Sequence, residues 1–83
     1  MVTQFMDKET FCAHILEYES AMYRAARSIL NNPEDVEDAV QEAICSAFAH
    51  RGDLRDPQRF KPWLLRIVVN TCYETCRKPE EGH

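Results

Sequence analysis

Asn32-Pro33 and Asp56-Pro57 punctuate this chain, and between those breaks the apolar residues return every three or four positions. An Asx side chain can accept a hydrogen bond from a free N–H in a first helical turn. Proline, with its fixed φ and missing N–H, suits the first helical position. Each pair therefore reads as the end of one helical stretch and the start of the next. Only two glycines fall in the 83 residues, and 45% of the chain is hydrophobic, which argues for a folded helical domain and against disorder. A chain of this length supports one domain with a single small core.

The first helix is predicted from Phe11, Ile15, Tyr18, Met22, Ala26 and Ile29, which share one face, with Asp7 as N-cap and Asn31-Asn32-Pro33 as stop. The second starts at Asn32 and Pro33, with Glu34 and Asp35 beside the positive end of the helix dipole. Its buried face reads Val36, Ala39, Val40, Ala43, Ile44, Ala47 and Phe48. Its opposite face carries Glu34, Glu37, Asp38, Gln41, Glu42 and Cys45, and Gly52 is the residue expected just beyond its end. A polar loop covers residues 50–59, within which Asp56-Pro57 begins the third helix or a short turn before it. Pro62 predicts a kink or a main helix starting near Lys61. Phe60, Leu64, Ile67 and Thr71 are expected to face the core. Leu65, Val69, Cys72 and Cys76 form a second apolar side, open to a partner or to further sequence. The fold class is all-α: a compact three-helix bundle, with room for a short extra helical turn before the third helix.

Charge is distributed unevenly. The net charge is −4, yet Glu34, Asp35, Glu37, Asp38 and Glu42 crowd one short segment without a base. From Arg51 to Lys78, seven bases (Arg51, Arg55, Arg59, Lys61, Arg66, Arg77, Lys78) stand against three acids (Asp53, Asp56, Glu74). An acidic face for a protein partner beside a basic, aromatic face for nucleic acid is what this asymmetry suggests. Arg66, Asn70, Tyr73 and Arg77 fall on one helical stripe, with Trp63 and Lys61 close in sequence. Cations there suit phosphates, aromatics suit unpaired bases, and an amide suits a base edge. Trp63 serves either as such a platform or as core filler. The acidic face, taken alone as a generic helix, is better read as a solvated helix surface.

Other classes fall away. The chain has no nucleophile–base pair, Gly-rich phosphate loop or HExxH pattern, so no enzyme and no cofactor are expected. Cys12, Cys45, Cys72 and Cys76 do not close a four-ligand set, and His14, His50 and His83 are scattered, so reduced structural or interfacial thiols are expected in place of a metal. No run approaches the roughly 18 apolar residues of a membrane span, and the start lacks the pattern of a secretory signal, so the expected place is the cytoplasm.

Together, Asp35-Val36-Glu37-Asp38-Ala39-Val40-Gln41-Glu42 and the later Phe60, Trp63-Leu64, Arg66-Ile67, Asn70 and Arg77-Lys78 give the chain a family likeness. It resembles region 2 of the sigma-70 family of bacterial RNA polymerase sigma factors, in the extracytoplasmic-function branch. The likeness spans roughly residues 8 to 78. Ala39 departs from a larger aliphatic, Ile44 from a frequent aromatic and Glu74 from the usual Asp.

The resemblance implies a region 2 domain over residues 1–78, with residues 79–83 as linker or tail. The family's second helical domain, which reads the upstream promoter element, is not expected within these residues. It implies docking of Glu37, Asp38, Gln41, Glu42 and Cys45 on the clamp helices of the largest subunit of RNA polymerase core. It implies that Arg51, Arg55, Arg59, Lys61, Trp63, Arg66, Asn70, Tyr73, Arg77 and Lys78 bind the non-template single strand of the promoter minus-ten element, with a flipped base captured in the loop before the third helix. An anti-sigma factor is the further partner it implies, and no membrane. The competing possibility is a protein-binding helical module acting as a sigma-like decoy for an anti-sigma factor, for which Arg66 and Arg77 would have no use.

Overall fold

The computed structural model describes residues 7–77. Four α-helices follow in order, α1 (Lys8–Glu17), α2 (Glu19–Ile29), α3 (Pro33–Ala49) and α4 (Phe60–Arg77), with 3₁₀ turns at Arg51–Asp53 and Pro57–Arg59 before α4. Helices and 3₁₀ turns make up most of the described residues, none of which is in a strand, and the all-α expectation holds. The Lys78 position and the expected tail lie outside the described residues.

The helix starts follow from capping chemistry. Asp7 Oδ1 accepts from the Thr10 N–H at 3.0 Å, and the bonds with Thr10 hold the Asp7 carboxyl below its ordinary value. Asn32 Oδ1 accepts from the Glu34 N–H at 2.8 Å, with Pro33 opening α3. Asp56 Oδ1 accepts from the Gln58 N–H at 3.0 Å and begins the second 3₁₀ turn. That turn runs directly into α4, so Pro62 sits in the first turn of the helix, where its missing N–H would have no intrahelical acceptor.

The helix expected across Phe11 to Ile29 bends. Tyr18, at φ −104° and ψ 13°, separates α1 from α2. The hydrogen-bond ladder nevertheless crosses the bend: the Tyr18 N–H donates to His14 O at 3.0 Å, and the Met22 N–H donates to Tyr18 O at 3.0 Å. The bend falls where His14 and Tyr18 bring their rings to Phe60, at centroid distances of 4.9 and 5.9 Å. Phe11 meets Phe60 edge-on at 5.9 Å, so the first residue of α4 is the hub of an aromatic cluster.

Helix α4 packs against both α2 and α3, which also pack against each other. Phe11, Ile15, Met22, Ala26 and Leu30 are buried from the first half, and Val36, Ala39, Val40, Ala43 and Ala47 from α3. The small side chains of α3 let neighbouring helices approach closely. From α4, Phe60, Leu64, Val68, Thr71 and Cys72 are buried. This corrects two expectations: Ile67 is only half-buried, and Cys72 belongs to the core, not to a second exposed side. Positions 60, 64, 68 and 72 advance by four, so the core stripe of α4 turns slowly around the helix and passes Ile67 by. Of the second apolar set, Leu65 and Val69 are half-buried and Cys76 is exposed.

Gly52 is not the residue closing α3, which stops at Ala49. The His50 N–H donates to Ser46 O at 3.0 Å and to Ala47 O at 3.2 Å. The His50 ring Nδ1 lies 2.9 Å from the same Ser46 oxygen, and the Arg51 guanidinium donates to Phe48 O at 2.7 Å. Side chains supply what a left-handed glycine would otherwise do, and Gly52 sits within the following 3₁₀ turn. No helix among the described residues is long and apolar enough to cross a membrane.

Candidate functional site

The acidic face comes from the periodicity of α3. Val36, Ala39, Val40, Ala43 and Ala47 turn inward, so Glu37, Asp38, Gln41, Glu42 and Cys45 are exposed on the remaining arc. Among the described residues no ion pair engages these carboxylates; the two present join His14 to Glu17 and Arg59 to Asp56. The face is thus exposed and negatively charged, the electrostatic complement of a cationic surface. At its start, Glu37 borders a hollow of about 390 Å³ between α2 and α3, with Tyr23, Arg27, Leu30, Asn31, Pro33 and Val36. The Arg27 guanidinium lies 5.9 Å from the Tyr23 ring centre there. Sequence reasoning overlooked this hollow; the aromatic–cation pair at i and i+4 on α2 was its available signal.

The basic site is built from the loop and the first half of α4. An open hollow of about 640 Å³ is lined by Asp53, Leu54, Arg55, Asp56, Arg59, Pro62, Trp63 and Arg66. The structure therefore brings four of the expected residues, Arg55, Arg59, Trp63 and Arg66, around one space. Leu54, Pro62 and the two carboxylates went unpredicted. Leu54, an apolar residue alone in a polar loop, was the sign that the loop folds back on the domain. The Arg59 guanidinium stands 4.0 Å from Asp56 with both side chains mostly exposed, a loose pairing that leaves most of its donors to solvent. Trp63 is half-buried: its ring packs on Phe60 at 5.6 Å and also lines the hollow.

From Arg66 at the edge of the hollow, Asn70, Tyr73 and Arg77 continue along α4, all four exposed, with Tyr73 at 56%. Lys61 is exposed in the first turn of the same helix. Arg51 differs from the rest. Its guanidinium lies 3.9 Å from the centre of the Phe48 ring while donating to Phe48 O. Lys78, also expected here, lies outside the described residues.

The thiols stand apart from this site. Cys12, Cys45 and Cys76 are exposed and Cys72 is buried, all four unbridged. Burial, with a smaller contribution from Cys76, pushes the Cys72 thiol above its ordinary value. Among the described residues no group of three or more His, Cys, Asp or Glu side chains could hold a metal ion.

Comparison with known proteins gives a consistent picture. Residues 14–81 match the Sigma-70 region 2 family. RNA polymerase sigma factor SigV of Bacillus subtilis is 33% identical over 67 residues, covering 81% of this chain and 40% of that protein. ECF RNA polymerase sigma factor SigM of Mycobacterium tuberculosis is 33% identical over 72 residues, covering 87% of this chain and 37% of its own length. ECF RNA polymerase sigma factor SigW of Bacillus subtilis is 28% identical over 77 residues, 93% of this chain and 41% of that protein. The chain thus spans about two fifths of the length of these curated relatives. No solved structure matches it.

Proposed function

The chain belongs to the sigma-70 family as a region 2 domain of the extracytoplasmic-function branch, and from that premise we propose that it joins RNA polymerase core to an opening promoter. In this reading Glu37, Asp38, Gln41 and Glu42, with Cys45 at the margin, dock on the clamp helices of the largest polymerase subunit. Charge-assisted hydrogen bonds to cations on the coiled coil give that contact its strength and register. The hollow beside Trp63 and the stripe from Arg66 to Arg77 bind the non-template strand of the minus-ten element, with Lys61 and Lys78 adding phosphate contacts. Opening the duplex is then a binding event: preferential affinity for the single strand shifts the closed–open equilibrium. No chemical step is asked of the protein.

The observation that carries this reading is the grouping of Arg55, Arg59, Trp63 and Arg66 around one open hollow, continued by Asn70 and Tyr73 on the same helix. Cations, stacking surface and amide together are what a single strand requires. A decoy for an anti-sigma factor would use the acidic face and leave this grouping without a purpose. A cytoplasmic location and regulation by an anti-sigma factor accompany the proposal. The direct test is a three-component titration of core polymerase, this chain and a labelled non-template strand. The strand is expected to be retained by core only when the chain is present; equal retention without the chain would contradict the reading.

A further inference from the structure

Arg51 was grouped by charge with the cations that meet DNA, but its surroundings give it a different part. We infer that Arg51 is a positioning residue: it clamps the start of the strand-binding loop to the end of α3, through Phe48, and does not itself neutralise a phosphate. The inference rests on the proposed strand-binding function and concerns how its loop is held.

The geometry is specific. The guanidinium carbon lies 3.9 Å from the Phe48 ring centre, and one of its nitrogens donates to the Phe48 carbonyl at 2.7 Å. One side chain thus covers both the ring and the carbonyl of the same residue, and it is only partly exposed where Arg55, Arg59 and Arg66 are open to solvent. Phe48 in turn meets Phe11 edge-on at 5.3 Å, and Phe11 is buried in the core. The chain of contacts therefore runs from core to loop as Phe11, Phe48, Arg51. Directly after it, the Asp53 N–H donates to His50 O at 2.9 Å and the Leu54 N–H donates to Arg51 O at 3.3 Å. These two bonds form the turn that delivers Asp53 and Leu54 to the hollow.

A planar guanidinium can lie over a ring while keeping donors in its plane for a carbonyl; an ammonium cannot do both. Arg51 also carries its charge to the negative end of α3, so moving it to a phosphate would uncover that end.

The experiment uses the whole 83-residue chain with core polymerase, comparing wild type, Arg51→Lys, Arg51→Ala and Arg59→Ala. Binding of a promoter-like strand and a scrambled strand is measured by anisotropy across a salt series, alongside thermal melting. A phosphate contact and a clamp predict opposite patterns. If Arg51 is a clamp, Arg51→Lys and Arg51→Ala both lower the preference for the promoter-like strand at least threefold, and the salt slope of Arg51→Ala stays at the wild-type value. Arg59→Ala serves as the reference that flattens the slope, by about 0.7 on a single strand. Three results overturn the inference: a slope flattened equally by Arg51→Ala, wild-type behaviour of Arg51→Lys, or a lowered melting temperature with strand preference intact. A wild-type chain that shows no preference at all overturns the strand-binding proposal and this inference with it, whereas preference kept in every Arg51 variant overturns the inference alone.

Discussion

The ring of Trp63 packs on Phe60 at a centroid distance of 5.6 Å and an angle of 53°, and the same indole lines the open hollow beside Arg66. One ring thus packs on the core and also faces the hollow, so the two roles that the sequence leaves open for this residue do not exclude each other. Trp63→Ala should cost stability, by roughly 1–3 kcal/mol given that the ring is only half-buried. It should also weaken strand binding by about 1–3 kcal/mol, the usual value of one base stack. Trp63→Phe should restore most of the stability and only part of the binding. Melting and anisotropy on the two variants separate these effects; full binding by Trp63→Ala would remove the indole from the interface.

The acidic face of α3 makes a separable prediction. Gln41→Ala combined with Glu42→Lys should abolish retention by the clamp-helix segment, because the reversal removes an attractive pair and adds a repulsive one. Both side chains are exposed, so stability should change by no more than about 0.5 kcal/mol. The measurement is a pull-down with the folded variant, and equal retention of wild type and variant would move the docking surface elsewhere.

The register of α4 can be checked by truncation. Val68 is fully buried and Ile67 is not. Val68→Ala should therefore destabilise more than Ile67→Ala, although isoleucine loses more atoms in the exchange. Losing two buried carbons costs roughly 1.6 kcal/mol of transfer free energy, and the cavity left behind adds to the first effect. Urea unfolding of the two variants decides the order.

Cys72 offers a chemical and a pH test. A thiol-specific reagent added to the native chain should modify Cys12, Cys45 and Cys76 rapidly and Cys72 only on unfolding. Burial raises the Cys72 thiol above its ordinary value of 9.0 in the folded state. The unfolded chain therefore loses this proton first as pH rises, so the contribution is intact below about pH 9 and is lost as pH climbs through the raised value. Cys72→Ala should remove that part of the alkaline loss. Four equally fast thiols would contradict the burial.

Much of this fold was legible because capping and spacing are local. Asp7, Asn32 and Asp56 each accept the expected N–H, and α3 buries Val36, Ala39, Val40, Ala43 and Ala47 as its periodicity requires. What escaped depends on contacts distant in sequence or on side-chain bonds that composition does not announce. The bend at Tyr18 has no Gly or Pro to announce it and coincides with the Tyr18 ring meeting Phe60 from 42 positions away. The end of α3 was assigned to Gly52 because side-chain caps from His50 and Arg51 leave no compositional trace. For the site, charge patterning found the cations but could not distinguish Arg51, held on Phe48, from Arg55 and Arg59, which face the hollow.

In the proposed function, α4 and the loop before it read a single strand. Fluorescence anisotropy with core polymerase present, using a promoter-like non-template strand, a scrambled strand and the matching duplex at two salt concentrations, tests it most directly. Removing Arg66 or Arg77 should weaken all three about equally and flatten the salt dependence, whereas Asn70→Ala should change which strand is preferred. Wild type should bind the promoter-like strand more tightly than the scrambled strand or the duplex. Equal binding of strand and duplex, with Asn70→Ala behaving as wild type, would contradict the account.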